Sequence, residues 1–359
     1  MSSFAFSIHT SKSDKVYKAG EPVEGEVRIR PNKKVRCKGV SLVLQRKENR
    51  DLFPNKIAIG KLDLFEGELE SGKDVALPFS FELPSDGPFS YDGMNTKLIW
   101  SLEARADIPW KIDPKASCPI RFEPGDKATA NWVVSELELR EGLQSQTETS
   151  ALSATVLGYA LGFSGFTLAA LFFLYSYLTY GTKMTMQIIL GGVFAVVGIY
   201  QSFSTFRTWL TERATGKLHV EFPPILCPGD SFSVEVRTQP NATIEVVDVT
   251  MQLLADEVVI ASRSSEGRSN SIEYQLMELS LEREEGEYRS YRKGEPVLIR
   301  MEAKLPDDAP LSFDTRDLTL RWTLKTCVKF AGFPDWEEES ILFVVPPSAR
   351  DSILSGSSE

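Results

Sequence analysis

The sequence predicts an all-β protein: two related β-sandwich domains separated by a two-helix transmembrane hairpin. The prediction rests on three observations. Short stretches alternate apolar and polar residues between Pro, Gly and Asp turns, the second half of the chain repeats the first, and two long uncharged runs lie between the halves. A chain of 359 residues has room for two or three domains. The expected division is 1–126 for the first sandwich, 127–150 for a linker, 151–206 for the hairpin, 207–347 for the second sandwich and 348–359 for a disordered tail.

In the first half, Val23, Gly25, Val27 and Ile29 alternate with Glu24, Glu26 and Arg28. Val40, Leu42 and Leu44 alternate with Ser41 and Val43, and Phe79 and Phe81 flank Ser80. Leu98, Trp100, Leu102 and Ala104 form another period-two face. Strands of this length between turns fit a sandwich better than a helical or α/β fold. From 129 to 150 the chain turns polar and then Ser/Thr/Gln-rich, a connector with room for a brief amphipathic helix over Trp132–Leu143.

Residues 151–180 hold no charge, and neither do residues 184–206. A helix needs about 20 apolar residues to cross the hydrocarbon core, so each run is long enough. The expected helices are about 152–178 and 186–206, antiparallel because only Tyr180-Gly181-Thr182-Lys183 joins them. Tyr175, Tyr177, Tyr180 and Trp209 stand at the ends, where aromatic belts form. Gly158, Gly162 and Gly165 face Gly191, Gly192 and Gly198 in composition, small residues that permit close packing. Two crossings put both sandwiches on one side. Arg140, Arg207, Arg213 and Lys217 lie on that side against Lys183 in the turn, which places the domains in the cytoplasm. No apolar core segment occurs in the first thirty residues, so no cleavable signal peptide is expected.

The repeat is the most informative pattern. Residues 83–102 align without gaps to 305–324, so that Leu83, Pro84, Pro88, Ser90, Leu98 and Trp100 recur as Leu305, Pro306, Pro310, Ser312, Leu320 and Trp322. The same offset of 222 carries Ile120–Pro124 onto Leu342–Pro346, while Ala19–Pro31 matches Pro228–Pro240 at an offset of 209. The difference of 13 is expected as a longer loop in the polar stretch from Ser262 to Gly286. In the second half Phe232, Val234 and Val236 alternate, as do Val247, Val249, Met251 and Leu253. Trp100 and Trp322 are expected in the cores, with Pro88/Ser90 and Pro310/Ser312 where a turn enters a strand.

These motifs together resemble the arrestin-like family, whose members pair an N-terminal and a C-terminal sandwich of immunoglobulin-like build. The matching residues are Tyr17, Gly20, Glu21, Val23, Gly25 and Val27, then Val35 and Gly39–Leu42. They continue with Leu83-Pro84 and Pro88-Phe89-Ser90-Tyr91-Asp92-Gly93, and end with the strand Leu98–Ala104. The resemblance covers residues 5–124 and 216–347. It implies an adaptor or scaffold. The chain departs from the family in its hairpin, which replaces a short soluble linker, and in lacking Pro-Pro-x-Tyr: Pro223-Pro224-Ile225 and Pro346-Pro347-Ser348 end without the tyrosine. No residue here is identified with the buried charged cluster of receptor-binding members.

Catalytic constellations are not expected. His9 and His219 are the two histidines, each near the start of its domain; no GxSxG, P-loop or HExxH occurs, so catalytic, cofactor and metal residues are all none. Asp335-Trp336-Glu337-Glu338-Glu339 and Glu282–Glu287 are acid-rich and read as solvated loops, with a divalent cation or basic peptide as the other reading of the first. Cys37, Cys118, Cys227 and Cys327 lack zinc spacing: small buried hydrophobes in a reducing space, one disulfide per domain in an oxidising one. The net charge of −10 argues against nucleic acid. It divides as +1 over 1–126, +1 over 127–217 and −12 over 218–359, either two ordinary surfaces or a second domain that anionic lipid repels. The expected function is a membrane-anchored, non-enzymatic scaffold that binds protein partners, membrane proteins or their cytoplasmic tails, beside the lipid bilayer. The alternative is an extracytoplasmic immunoglobulin-like tandem in envelope assembly or adhesion. A third class is an enzyme using the acids of 335–339.

Overall fold

A computed structural model describes residues 4–50, 55–110, 113–133, 171, 174–175, 178–179, 211, 213–263, 269–285 and 288–356. The first domain comprises β1 (Phe4–Thr10), β2 (Val16–Lys18), β3 (Pro22–Pro31), β4 (Val35–Arg50), β5 (Asn55–Leu69), β6 (Val75–Glu82), β7 (Tyr91–Asp92), β8 (Thr96–Asp107) and β9 (Lys115–Glu123). A sheet β1-β3-β6 packs over a sheet β2-β9-β8-β4-β5, with β7 paired to β8. The second domain comprises β10 (His219–Glu221), β11 (Ile225–Leu226), β12 (Ser231–Thr238), β13 (Ile244–Arg263), β14 (Ser269–Ser280), β15 (Glu282–Glu285), β16 (Ser290–Tyr291), β17 (Val297–Lys304), β18 (Phe313–Asp314), β19 (Leu318–Phe330) and β20 (Trp336–Val344). Its sheets are β10-β12-β17-β15 and β11-β20-β19-β13-β14, with β16 on β13 and β18 on β19. Each domain is thus a two-layer β-sandwich around its own core.

The period-two faces point inward as expected. Val23, Val27 and Ile29 of β3 meet Leu42, Leu44, Trp100 and Leu102 of the facing sheet; Val234, Val236, Leu253 and Trp322 do the same in the second domain. One strand departs from expectation. Val247 is exposed and Val246 is buried, because the β13–β19 register slips between Val246 and Asp248. A bulge adds one residue and so turns the preceding side chains to the other face.

The duplication persists hydrogen bond by hydrogen bond. Trp100 Nε1 donates to the Pro88 carbonyl at 3.1 Å, and Trp322 Nε1 to Pro310 at 3.0 Å. Ser90 Oγ accepts from the Phe122 amide and Ser312 Oγ from Val344, both at 2.9 Å. β2 runs parallel to β9 with Tyr17 opposite Phe122, and β11 runs parallel to β20 with Leu226 opposite Val344. Even the turn before β3 recurs: Glu21 accepts from the Lys18 amide at 2.9 Å, Asp230 from Cys227 at 2.8 Å.

Three expectations need correction. The stretch 262–286 is not simply a loop, since β14 and β15 occupy most of it. As the sheet edge, β14 leaves much of its surface to water, so its polar residues hid a strand. The tail after Pro347 is a helix over Pro347–Gly356 rather than disordered. Ala349 and Ile353, one turn apart, bury against Val133, Cys227 and Val345, and Arg350 pairs with Asp230 at 2.6 Å. Of the residues assigned to a linker, Ala128 is buried in the first domain's core and Ala130, Trp132 and Val133 pack in the same small core; the expected helix over Trp132–Leu143 shows its first turn at Asn131–Val133, and the rest lies outside the described residues.

The hairpin over 151–206 also lies almost wholly outside the described residues. Leu171, Leu174, Tyr175, Leu178 and Thr179 of its first run are helical. Among the described residues, no helix is long and apolar enough to cross a membrane.

Replacing Trp100 or Trp322 by Phe removes one buried donor and leaves a proline carbonyl unpaired. Each change is expected to cost about 1–3 kcal/mol in denaturant unfolding, with similar values at the two sites because their surroundings match.

Candidate functional site

Most residues singled out by chemistry stay on the surface. His9 lies exposed on β1 beside Ser7, and His219 exposed on β10. Glu337, Glu338 and Glu339, expected in a solvated loop, lie instead on strand β20 paired with β19; they are exposed, and Lys325 Nζ sits 2.9 Å from Glu339. Glu282, Arg283 and Glu284 form the exposed strand β15. Among the described residues, no group of three or more His, Cys, Asp or Glu is placed to hold a metal ion. All four cysteines are free thiols; burial pushes Cys37, Cys227 and Cys327 above the ordinary thiol value, which disfavours the reactive thiolate.

Converging polar groups occur instead at the seam between the sandwiches. Glu257, on β13 opposite Leu320, is completely buried. The Tyr91 hydroxyl donates to its Oε1 at 2.6 Å, the Met94 amide to Oε1 at 3.1 Å and the Asn95 amide to Oε2 at 3.3 Å. All three donors belong to the first domain. A buried carboxylate is tolerable only when such donors replace water. Burial, reinforced by the bond to Glu257, pushes the Tyr91 phenol far above its ordinary value and keeps it a donor.

Gly93 makes the approach possible. A Cβ there would stand 1.7 Å from Glu257 Oε1 and 2.5 Å from the Tyr91 hydroxyl, so any other residue would push these two side chains from their contact. The sequence flags Gly93 only as a motif position; its reason lies in the other domain. Glu257 itself was missed, since a glutamate inside a strand reads as solvent-facing.

Repeat-equivalent residues meet at this seam. Tyr91 and Phe313, related by the offset of 222, stack edge-on with centroids 5.2 Å apart. Leu98 and its equivalent Leu320 share one apolar cluster. Glu48, equivalent to Glu257 at the offset of 209, is buried as well and is held by Arg46 at 2.8 Å. Contacts between equivalent surfaces are the mark of a two-fold interface, here formed within one chain. Asn55 Nδ2 donates to Asp317 Oδ2 at 2.8 Å, and the Ser348 hydroxyl donates toward the Gly125 and Ala128 carbonyls at 2.9 and 3.2 Å.

Beside the seam lies a cleft of about 460 Å³ whose walls are matched segments of the two repeats: Phe89 and Tyr91 against Leu311 and Phe313, Pro124 against Pro346. The arrangement holds the two domains in register.

No family model matches the chain, and no curated protein matches it. Among solved structures, Spo0M, a sporulation control protein from Bacillus subtilis, superposes with a TM-score of 0.32 at 10% identity over 95% of this chain and 91% of that one. So loose a superposition adds nothing to the fold, which rests on the strands and their registers.

Gly93→Ala should loosen the seam while sparing both cores, since each donor it takes from Glu257 is worth about 1.5–3 kcal/mol. Hydrogen exchange at residues 94 and 95 is expected to rise while exchange in β8 and β19 stays slow. The seam is also expected to weaken in alkali. The folded phenol of Tyr91 holds its proton more tightly than the unfolded one, so its stabilisation is complete below about pH 10 and declines above it. Thermal midpoints on either side of that pH should fall more steeply for the native chain than for Tyr91→Phe.

Proposed function

We propose that the chain is a membrane-tethered, non-enzymatic scaffold of arrestin-like build, with both sandwiches on the cytoplasmic face. It binds protein partners there, membrane proteins or their cytoplasmic tails, through its strand edges and loop ends. The observation that carries this reading is an apolar helical face that neither sandwich covers. Leu171, Leu174, Tyr175 and Leu178 are each more than half exposed at helical spacing, in a run of thirty residues without charge. The Thr179 hydroxyl bonds back to the Tyr175 carbonyl at 2.8 Å, as polar side chains in apolar helices do. Four such residues together on one face call for lipid or for protein.

The arrestin-like part is supported by the motif order in both halves, by the two sandwiches and by the seam that joins them as a pair. Free thiols at all four cysteines support a reducing compartment. A scaffold needs its domains held at fixed spacing, which the contact of Glu257 with the first domain supplies. Tethering raises the effective concentration toward any other membrane protein, so modest contacts suffice.

Alkaline carbonate extraction should leave the chain in the membrane pellet, and a thiol reagent applied to denatured, unreduced protein should label all four cysteines. Crosslinking in native membranes should then capture a membrane protein. Release into the supernatant would refute the tether. Cysteines that label only after reduction would favour the extracytoplasmic alternative.

A further inference from the structure

Trp110 occupies the loop between β8 and β9 at the end of the first sandwich farthest from the seam. It is fully exposed, yet its backbone sits at φ 64°, in the left-handed region that bulky residues avoid. The repeat supplies an internal comparison. At the offset of 222 its equivalent is Gly332, at φ 80°, the residue such a turn prefers. The first domain therefore accepts backbone strain to project a tryptophan that packs against nothing in its own fold, and strain of that kind clusters at functional positions.

The loop is built to present it. Asp113 accepts from the Ile108 amide at 3.1 Å and from Arg105 Nε at 2.9 Å, closing the loop beneath Trp110. Next to it, Cys37 Sγ approaches the Asp107 carbonyl, which brings the β3–β4 turn to the same tip. There Lys33, Lys34, Arg36 and Lys38 are all exposed, with Lys34 paired to Glu68. Their equivalents in the second domain are Ala242, Thr243, Glu245 and Val247, so the basic run belongs to the first copy alone.

The matching tip of the second domain receives the chain returning from the hairpin. The Asn241 amide donates to the Ala214 carbonyl at 2.8 Å, and the Thr238 hydroxyl to that of Thr215 at 2.6 Å.

We infer that Trp110 with the Lys33–Lys38 run is a second membrane contact: a tip that seats an indole at the interface of an anionic bilayer while the lysines face its headgroups. Indole prefers the headgroup level, and lysines are drawn to anionic leaflets. The contrast with the second domain fits, since that domain carries −12 overall and is held by the tether. The inference rests on the tethered reading for its nearby bilayer.

The test uses the full chain in nanodiscs carrying a quencher-labelled lipid, with phosphatidylcholine alone or mixed with phosphatidylserine. Quenching is read as the native chain minus Trp110→Phe, which cancels the other tryptophans. A difference is expected only with phosphatidylserine, its apparent lipid affinity falling about fivefold with each of Lys33→Ala and Lys38→Ala. Trp110→Gly should abolish it while raising the thermal midpoint, because glycine suits the turn. Equal quenching in native and Trp110→Phe chains, or a difference that ignores phosphatidylserine, overturns the inference. A chain that never stays with the disc refutes the tether instead. Flotation of that soluble chain on phosphatidylserine vesicles, native against Trp110→Phe, then decides the tip alone.

Discussion

A carboxylate removed from water has to find donors, and Glu257 finds them across the seam. The Tyr91 hydroxyl and the amides of Met94 and Asn95 come from the other sandwich, so the group is solvated only when the domains are joined. That requirement reaches back into the sequence. It favours a glycine at 93, because a side chain there would displace the carboxylate from its present place. It also favours a neutral phenol at 91, which burial secures.

The seam shows how a duplicated chain becomes an asymmetric molecule. Two identical sandwiches meeting about a two-fold axis would present the same groups from each side. Here Tyr91 faces Phe313, and Gly93 has Thr315 as its equivalent. One copy therefore became the donor and the other the acceptor. Glu48 sits where a symmetric contact would repeat, but Arg46 from its own strand holds it, while Ala255 stands in the arginine's place beside Glu257. The same divergence marks the tips, where Trp110 and its basic run stand against Gly332 and a turn without lysine or arginine.

A second contact braces the joint between the two sandwiches. The small core of Val133, Cys227, Phe343, Val345, Ala349 and Ile353 binds the segment leaving the first domain to the second domain and the C-terminal helix. Trp132 packs edge-on to Phe343 at 5.6 Å, so the chain is fixed as far as Val133.

The two sandwiches, their inward faces and the repeat were legible in the chain itself, because burial of alternate residues on a strand is a local, periodic demand. Trp100 and Trp322 reported their own cores at spacings that alignment alone could recover. The uncharged runs were equally plain as composition. What depended on distant contacts was not. The polarity of β14 hid a sheet edge, a single bulge turned Val246 inward in place of Val247, and Ser348–Gly356 became helical only because Ala349 and Ile353 found a surface to bury against. Glu257 is the sharpest case: a strand glutamate is ordinarily a surface residue, and only the neighbouring domain supplies the donors that let it be buried. Periodicity along one strand determines which face is inside; which groups meet across a seam is decided by the folded positions of residues more than 160 apart.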